Sequence, residues 1–216
     1  MSTFEVGPLN KVRRPDRGGY EREAIYAVLD EGLVAHVGFV DHDRPVVMPM
    51  VYGRNGDTLY IHGAKAARFA KRMAKGIPVC ITVTLTDAIV VARSAFHCSM
   101  NYRSVVVHGH ARPVTEPEEA ETALALVTDQ LVPGRWAESR PMMEKELRAT
   151  SVLRVDMEAV SMKTRSGPPI DDEEDYALPI WAGLIPLRMA EGTPKPDDRV
   201  LADVEIPASV KARVKS

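Results

Sequence analysis

The chain has 216 residues, 45% of them hydrophobic, with 28 basic residues against 30 acidic ones and a formal net charge of −2. That length supports one well-packed domain, and the charge balance excludes a global field that would recruit nucleic acid or an anionic membrane. Because the two cysteines, Cys80 and Cys98, lack disulfide-framework or zinc spacing, and no secretory leader or membrane-length apolar run is present, we expect a cytoplasmic protein without a structural metal.

The chain opens with a segment rich in proline, glycine and basic residues. Residues 1–19 predict an arm that lies on the surface or on a partner subunit, with a disordered tail as the alternative. Apolar residues at helical spacing then predict an amphipathic helix over residues 20–31, which Gly32 ends.

Short β-branched runs follow and predict strands over residues 33–40, 45–52 and 58–62. The pair Asn55-Gly56 between the last two predicts a tight hairpin. A helix is expected over residues 64–75, closed by Gly76, before further strands over residues 79–85, 89–95 and 104–114.

The second half mixes helices with one more strand. Thr115 is expected to cap a helix that runs to about Leu131, and a shorter helix over residues 142–149 precedes a strand over residues 152–162. We therefore predict a mainly β fold with flanking helices (α+β): one domain over residues 20–187 and a C-terminal extension over residues 188–216.

The predicted helix after His62 carries five cations and no acid: Lys65, Arg68, Lys71, Arg72 and Lys75. Cations in the first turn oppose the positive end of the helix dipole, and a bound phosphate would remove that conflict. Gly63 would let the backbone approach an anion, and Arg68 can hold two phosphate oxygens. The alternative is a basic face that only solvent contacts.

Several segments in a fixed order resemble a known superfamily. They are Leu29-Asp30-Glu31-Gly32, Pro49-Met50-Val51-Tyr52-Gly53, Leu59-Tyr60-Ile61-His62-Gly63, Asn101-Tyr102-Arg103-Ser104-Val105, Pro133-Gly134-Arg135-Trp136 and Trp181-Ala182-Gly183. From about Arg17 to Leu187 the chain resembles the FMN-binding split β-barrels of the pyridoxamine-phosphate oxidases, and within them the flavoproteins related to 5-nitroimidazole reductases. The resemblance implies a six-stranded antiparallel split β-barrel and a homodimer with FMN at the subunit interface.

The same resemblance implies a set of cofactor-binding residues. The backbone of one strand would lie along the isoalloxazine ring, and other residues would hold the phosphate or cover the flavin. The ring-binding strand comprises Val47, Met48, Pro49, Met50 and Val51, and the remaining candidates are His62, Gly63, Lys65, Arg68, Tyr102, Arg103, Ser104 and Trp181. Ala64 and Ala67 stand where relatives often have a hydroxyl residue, which leaves the phosphate affinity open.

Other polar residues give weaker signals. His62 and His97 are candidate proton donors, and Lys163 and Arg165 could hold an acidic substrate or the phosphate. His108 and His110 would share one strand face, but they lack a third ligand at metal spacing.

The expected function is that of an FMN-dependent oxidoreductase, in which flavin N5 passes reducing equivalents from a small-molecule donor to a small acceptor. Hydrolase and nucleotide-triphosphatase motifs are missing from the sequence. The alternatives are a non-catalytic protein that stores or senses FMN, and a split barrel that binds a deazaflavin or a haem with His62 or His110 as axial ligand.

Overall fold

A computed structural model describes residues 2–201 and 203–214. These residues form ten strands and six helices in a mainly antiparallel β structure. The strands are β1 Gly18–Gly19, β2 Ala35–Asp41, β3 Arg44–Met50, β4 Tyr52–Asn55, β5 Thr58–Ala64, β6 Pro78–Val91, β7 Ser99–Pro113, β8 Thr150–Asp156, β9 Ala159–Arg165 and β10 Gly183–Pro186. The helices are α1 Arg22–Glu31, α2 Arg68–Met73, α3 Pro117–Leu131, α4 Arg135–Glu138, α5 Glu144–Ala149 and α6 Ala208–Arg213.

The chain divides into two compact units, and three long strands pass from one into the other. The first unit comprises the residues up to Val37, Cys80–His108 and Glu158–Met189, and the second comprises Gly38–Val79, Gly109–Met157 and the residues from Ala190 onwards.

In the first unit, the N-terminal arm folds back onto the start of α1. The Phe4 amide donates to the Tyr20 carbonyl at 2.9 Å, and the Phe4 side chain is buried beneath the guanidinium of Arg22. Asn10 is also buried, and its amide donates to the Val160 carbonyl at 2.9 Å. The arm therefore has specific contacts with the first unit.

The strands of the first unit are joined in antiparallel pairs. β7 pairs with β9 from Tyr102↔Arg165 to His108↔Ala159, and β1 pairs with the same strand β9 at Gly19↔Met162. β10 pairs with β6 from Gly183↔Val91 to Pro186↔Ala88, which attaches the C-terminal part of this unit to its sheet.

The second unit is built on the β4–β5 hairpin and on β8. β5 pairs antiparallel with β8 over seven residues, from Thr58↔Asp156 to Ala64↔Thr150. Helix α3 packs on β4 so closely that a Cβ on Gly53 would lie 2.7 Å from the Val127 backbone nitrogen. Only glycine permits this approach without a shift of the helix.

A polar network ties α3 to the same sheet. The Tyr60 hydroxyl donates to Glu119 at 3.0 Å, and Arg154 bridges Glu119 and Asp156 at 2.8 Å each. Thr58 donates to Asp156 at 2.9 Å. Burial and the Glu119 hydrogen bond raise the pKa of Tyr60, so its hydroxyl keeps the donating proton.

Several predicted strands differ from the observed ones. The two strands expected over residues 79–85 and 89–95 are one strand, β6, which runs without a break from Pro78 to Val91. The strand expected over residues 152–162 is divided into β8 and β9, because Met157 and Glu158 turn away to donate to the carbonyls of Asp57 and His108, respectively. The count of six strands is therefore not confirmed.

The helices are shorter than predicted. The helix expected over residues 64–75 is α2, six residues from Arg68, because β5 pairing extends to Ala64 and the Lys65 amide donates to the Ala149 carbonyl. The expected cap at Thr115 is wrong: Glu116 precedes α3, without a side-chain cap. The Asn55-Gly56 hairpin is confirmed, with Gly56 at φ 54°.

The β2–β3 turn uses two non-glycine residues in the left-handed region. His42 has φ 48° and Asp43 has φ 60°. Two consecutive positive φ values are what a type I′ turn requires, and glycine meets that requirement without the steric penalty of a Cβ.

We expect Asp43→Gly to raise the free energy of unfolding by about 0.5–1 kcal/mol, because it relieves left-handed strain. Chemical denaturation measures the change. Asp57→Gly is the matched control, since Asp57 lies in the other hairpin turn without a positive φ. A gain in the control, or a loss in Asp43→Gly, would contradict the argument.

Candidate functional site

The end of the β5·β8 ladder brings together distant parts of the second unit. His62 pairs with Val152, Gly63 with Ser151 and Ala64 with Thr150. The Lys65 amide then donates to the Ala149 carbonyl at 2.8 Å, just before α2 begins. The predicted segment from His62 to Arg68 therefore lies at the junction of a strand, a turn and a short helix.

Gly63 has a packing role that the sequence did not indicate. A Cβ at this position would lie 2.3 Å from Cζ of Phe69, in the first turn of α2. The ring therefore occupies the space that a side chain would take. A larger residue at this position would overlap the ring unless the Phe69 side chain shifted.

Arg68 and Arg72, on one side of α2, share a buried carboxylate. Arg68 Nε lies 3.3 Å from Asp41 Oδ2, and Arg72 Nε lies 3.7 Å from Asp41 Oδ1. Asp41 also contacts His42 Nδ1 at 3.0 Å. The sequence predicted that a bound phosphate would offset the unfavourable interaction of first-turn cations with the helix dipole. In the structure, the Asp41 carboxylate reduces that interaction.

A second side of α2 borders a cavity of about 430 Å³ in the second unit. Its polar lining consists of two lysines and three hydroxyl residues, and the other lining residues are alanine, proline and valine. The polar residues are Lys65, Lys71, Thr115, Thr150 and Ser151. No acidic residue is among the lining residues, so the cavity is cationic.

His62 lies partly buried on β5. Burial lowers the pKa of its imidazole from the usual 6.5, so the ring is neutral at pH 7. Its Nδ1 is buried and has no hydrogen-bond partner among the described residues. The lowered pKa opposes the predicted role as a proton donor near neutral pH.

The predicted ring-binding strand, β3, presents apolar side chains to solvent. Val47 is 64% exposed, and exposed or half-buried residues alternate along the whole strand. A strand of this kind is suited to be covered by a ligand or by another subunit.

The predicted residues of the first unit already have protein partners. The Arg103 guanidinium donates to Asp87 at 2.8 Å and to Glu31 at 2.9 Å, and these two carboxylates raise its pKa. Ser104 Oγ lies 2.8 Å from Thr84 Oγ1, and Tyr102 pairs with Arg165 in the β7·β9 ladder. The charge of Arg103 is therefore balanced within the protein.

Trp181 lies just before β10 and is 67% exposed. A Cβ on Gly183 would lie 2.9 Å from the indole, so the ring rests against that glycine. The preceding segment is anchored by Asp171, whose buried carboxylate accepts the Arg93 amide at 2.9 Å and the Arg93 guanidinium at 3.1 Å.

The remaining candidates of the first unit differ in their contacts. His97 Nε2 lies 3.4 Å from Asp172 Oδ2, and its ring stacks edge-on with Phe96. Arg165 donates to Asn101, whereas Lys163 is exposed on β9. Within the described residues, no group of three or more His, Cys, Asp or Glu residues could hold a metal ion, and no helix has the length and apolarity to cross a membrane.

Comparison with known proteins identifies the family of this chain. The family model described as pyridoxamine 5'-phosphate oxidase matches residues 21–164, about two thirds of the chain. The chain belongs to the pyridoxamine 5'-phosphate oxidase family. The resemblance inferred from the ordered segments is confirmed. No match was found among the curated proteins.

Two solved structures are similar to this protein over nearly the full chain. One is the flavocytochrome Anf3 from Azotobacter vinelandii, with 39% identity, a TM-score of 0.90 and coverage of 95% of this chain and 96% of that one. The other is described as the FAD and heme binding protein from Mycobacterium smegmatis, with 36% identity, a TM-score of 0.87 and coverage of 92% and 97%.

A third structure shares the fold alone. It is a putative 5-nitroimidazole antibiotic resistance protein from Bacteroides thetaiotaomicron, with 21% identity, a TM-score of 0.53 and coverage of 68% of this chain and 85% of that one. The resemblance to 5-nitroimidazole-reductase-related proteins that the sequence indicated is therefore, for this structure, a resemblance of fold.

Several site residues were missed by the sequence analysis. Asp41 looked like part of a turn, and its contacts with Arg68 and Arg72 depend on how the β2–β3 hairpin meets α2. Thr150 and Ser151 reach the cavity through β8. The sequence identifies Lys71 as one of five cations, but it does not show that Lys71 and Arg68 have different neighbours.

We expect Gly63→Ala to lower the free energy of unfolding by about 1–3 kcal/mol, because the added methyl group overlaps the Phe69 ring. Urea unfolding measures the loss, and Gly63→Ala combined with Phe69→Leu should recover part of it. Gly192→Ala is the control, since a Cβ there meets nothing within 4 Å. Equal stability of Gly63→Ala and wild type would show that the ring moves aside freely.

Proposed function

We propose that this protein binds a flavin and a haem and transfers electrons between a small-molecule donor, these two groups and a small acceptor. The observation that carries the proposal is the similarity, at 39% and 36% identity over more than nine tenths of the chain, to a flavocytochrome and to an FAD and haem binding protein. Because both matches extend beyond residues 21–164, the terminal regions are included in the likeness.

The flavin would supply hydride and single-electron chemistry, and this chain would bind and orient it. FMN is the cofactor expected from the sequence, but the name of the Mycobacterium relative favours FAD. Arg68 is suited to a flavin phosphate because its side chain is 81% exposed despite its contact with Asp41. The exposed apolar side of β3, with Val47, is suited to the ring.

His62 is the residue best suited to hold a haem iron. A neutral imidazole is the form that ligates iron, and burial keeps His62 in that form at pH 7. The buried Nδ1 without a hydrogen-bond partner among the described residues leaves this ring uncommitted at that atom. His110, the other candidate from the sequence, has a partner of its own in the structure.

A homodimer is part of the proposal. The C-terminal part of the first unit exposes a series of large apolar side chains, and such surfaces mark contacts with another molecule. They are Tyr176, Leu178, Ile180, Trp181, Leu184, Ile185 and Met189. A second copy of the chain would cover this surface, with Trp181 at its centre.

Purified protein is expected to show both a flavin spectrum and a Soret band. His62→Ala should lose the Soret band and keep the flavin, because the haem loses its axial ligand while the flavin contacts remain. His36→Ala is the control, since His36 is exposed on β2. Chromatography of the heat-released flavin distinguishes FAD from FMN.

A flavin spectrum without haem would overturn the haem proposal and leave a simple flavoprotein. Anaerobic titration with a reduced nicotinamide then separates an oxidoreductase from a flavin-storage protein: bleaching supports turnover, and no bleaching with any donor supports storage. A colourless protein that neither flavin nor haem reconstitutes would overturn the whole proposal.

Arg68→Gln is expected to weaken flavin binding about tenfold, because it removes a charge-assisted hydrogen bond worth roughly 1.5–3 kcal/mol. Fluorescence titration of the flavin-stripped protein measures the affinity. Lys75→Gln, an exposed cation just after α2, is the control. Equal affinities for wild type and Arg68→Gln would mean that Arg68 serves only the contact with Asp41.

A further inference from the structure

We propose that the cavity between α2 and the start of β8 binds a phosphoryl group of a small organic phosphate, at a site separate from Arg68. The cavity lies entirely within the second unit. The inference is drawn from the lining of the cavity, and where the phosphoryl group belongs to the flavin it also rests on the proposed function.

The cations of α2 and of the turn before it form two sets with different surroundings. Arg68 and Arg72 share the carboxylate of Asp41, whereas Lys65 and Lys71 line the cavity. Among the residues that the structure describes, neither lysine has an ion-pair partner. Acidic residues are plentiful in the chain, 30 in all, yet none lines the cavity. The positive charge of the two cavity lysines is therefore available to an external anion.

The hydroxyl groups add hydrogen-bond donors to this charge. The Thr150 hydroxyl donates to the Glu146 carbonyl at 2.9 Å, so it offers an acceptor to a ligand rather than a donor. Thr115 and Ser151 have no such bond in the described structure and can donate. Two ammonium groups and two hydroxyls match the several oxygens of a phosphoryl group, since lysine serves phosphate as a point charge.

The rest of the lining indicates the size and character of the ligand. The volume of about 430 Å³ lies within the roughly 300–1,000 Å³ typical of small-molecule sites and exceeds what inorganic phosphate needs. The wall includes the apolar side chains of Ala70, Val114 and Val152. A phosphate ester with an apolar or planar body fits this combination of a cationic end and an apolar wall.

Such a phosphoryl group has two sources. It can belong to a free phosphorylated compound, or it can be the second phosphate of a dinucleotide cofactor bound to the same protein. Both sources present the same phosphoryl group to the cavity. Titration of the protein with the cofactor content that it has when purified distinguishes them.

The test is isothermal titration of the purified protein, with its native cofactor content, with inorganic phosphate and with adenosine monophosphate. Lys71→Gln should weaken binding of both probes about tenfold, because one charge-assisted contact is lost. Lys75→Gln is the matched control, an exposed cation just after the same helix and outside the cavity lining. Ser151→Ala carries the same test if Lys71→Gln does not fold.

If the bound cofactor fills the cavity, wild type binds neither probe, and Lys71→Gln loses flavin about tenfold more readily than Lys75→Gln. Equal behaviour of Lys71→Gln and Lys75→Gln, in both probe binding and flavin retention, would overturn the site. A protein without flavin that still binds phosphate through Lys71 would separate the failure of the proposed function from the success of this inference.

Discussion

The antiparallel pairing of β5 with β8 is the constraint on which the candidate site depends. Seven residue pairs, from Thr58↔Asp156 to Ala64↔Thr150, fix which side chains of the two strands share a face. A slip of one residue would turn every side chain of β5 to the opposite face. Since β5 continues directly through Lys65 into α2, this register also sets where the cations of the helix lie.

The same junction separates two kinds of positive charge. Arg68 and Arg72 are close to a buried carboxylate, and their planar guanidinium groups suit that shared contact. Lys65 and Lys71 lie beside hydroxyl and apolar groups. Four of the five cations that look like one basic face in the sequence therefore lie in two different surroundings, one beside the Asp41 carboxylate and one without an acidic residue.

Burial decides the chemistry of the nearby imidazole. A cation is disfavoured where water is excluded, so burial lowers the pKa of His62 and makes its imidazole a poor proton donor near pH 7. In the first unit, by contrast, charged groups are paired: Arg103 with Glu31 and Asp87, and Arg93 with Asp171. These pairs hold strands and the C-terminal segment in place, and the apolar side chains of that segment remain exposed.

Local patterns of alternating apolar residues and turn residues were enough to predict a mainly β fold, the Asn55-Gly56 hairpin and the position of most strands. The family was identified from the resemblance of several segments that occur in a fixed order. The sequence also located the segment from His62 to Arg68 as the most informative stretch. Long-range pairing and packing set the features that local patterns missed: β6 is one strand, α2 begins at Arg68, and the Phe69 ring lies against Gly63. Tertiary packing also brings Asp41 next to Arg68, and it places Thr150 and Ser151 in the lining of the cavity. These contacts join residues that are far apart in the chain, and local sequence patterns do not specify which distant residues pair or pack together.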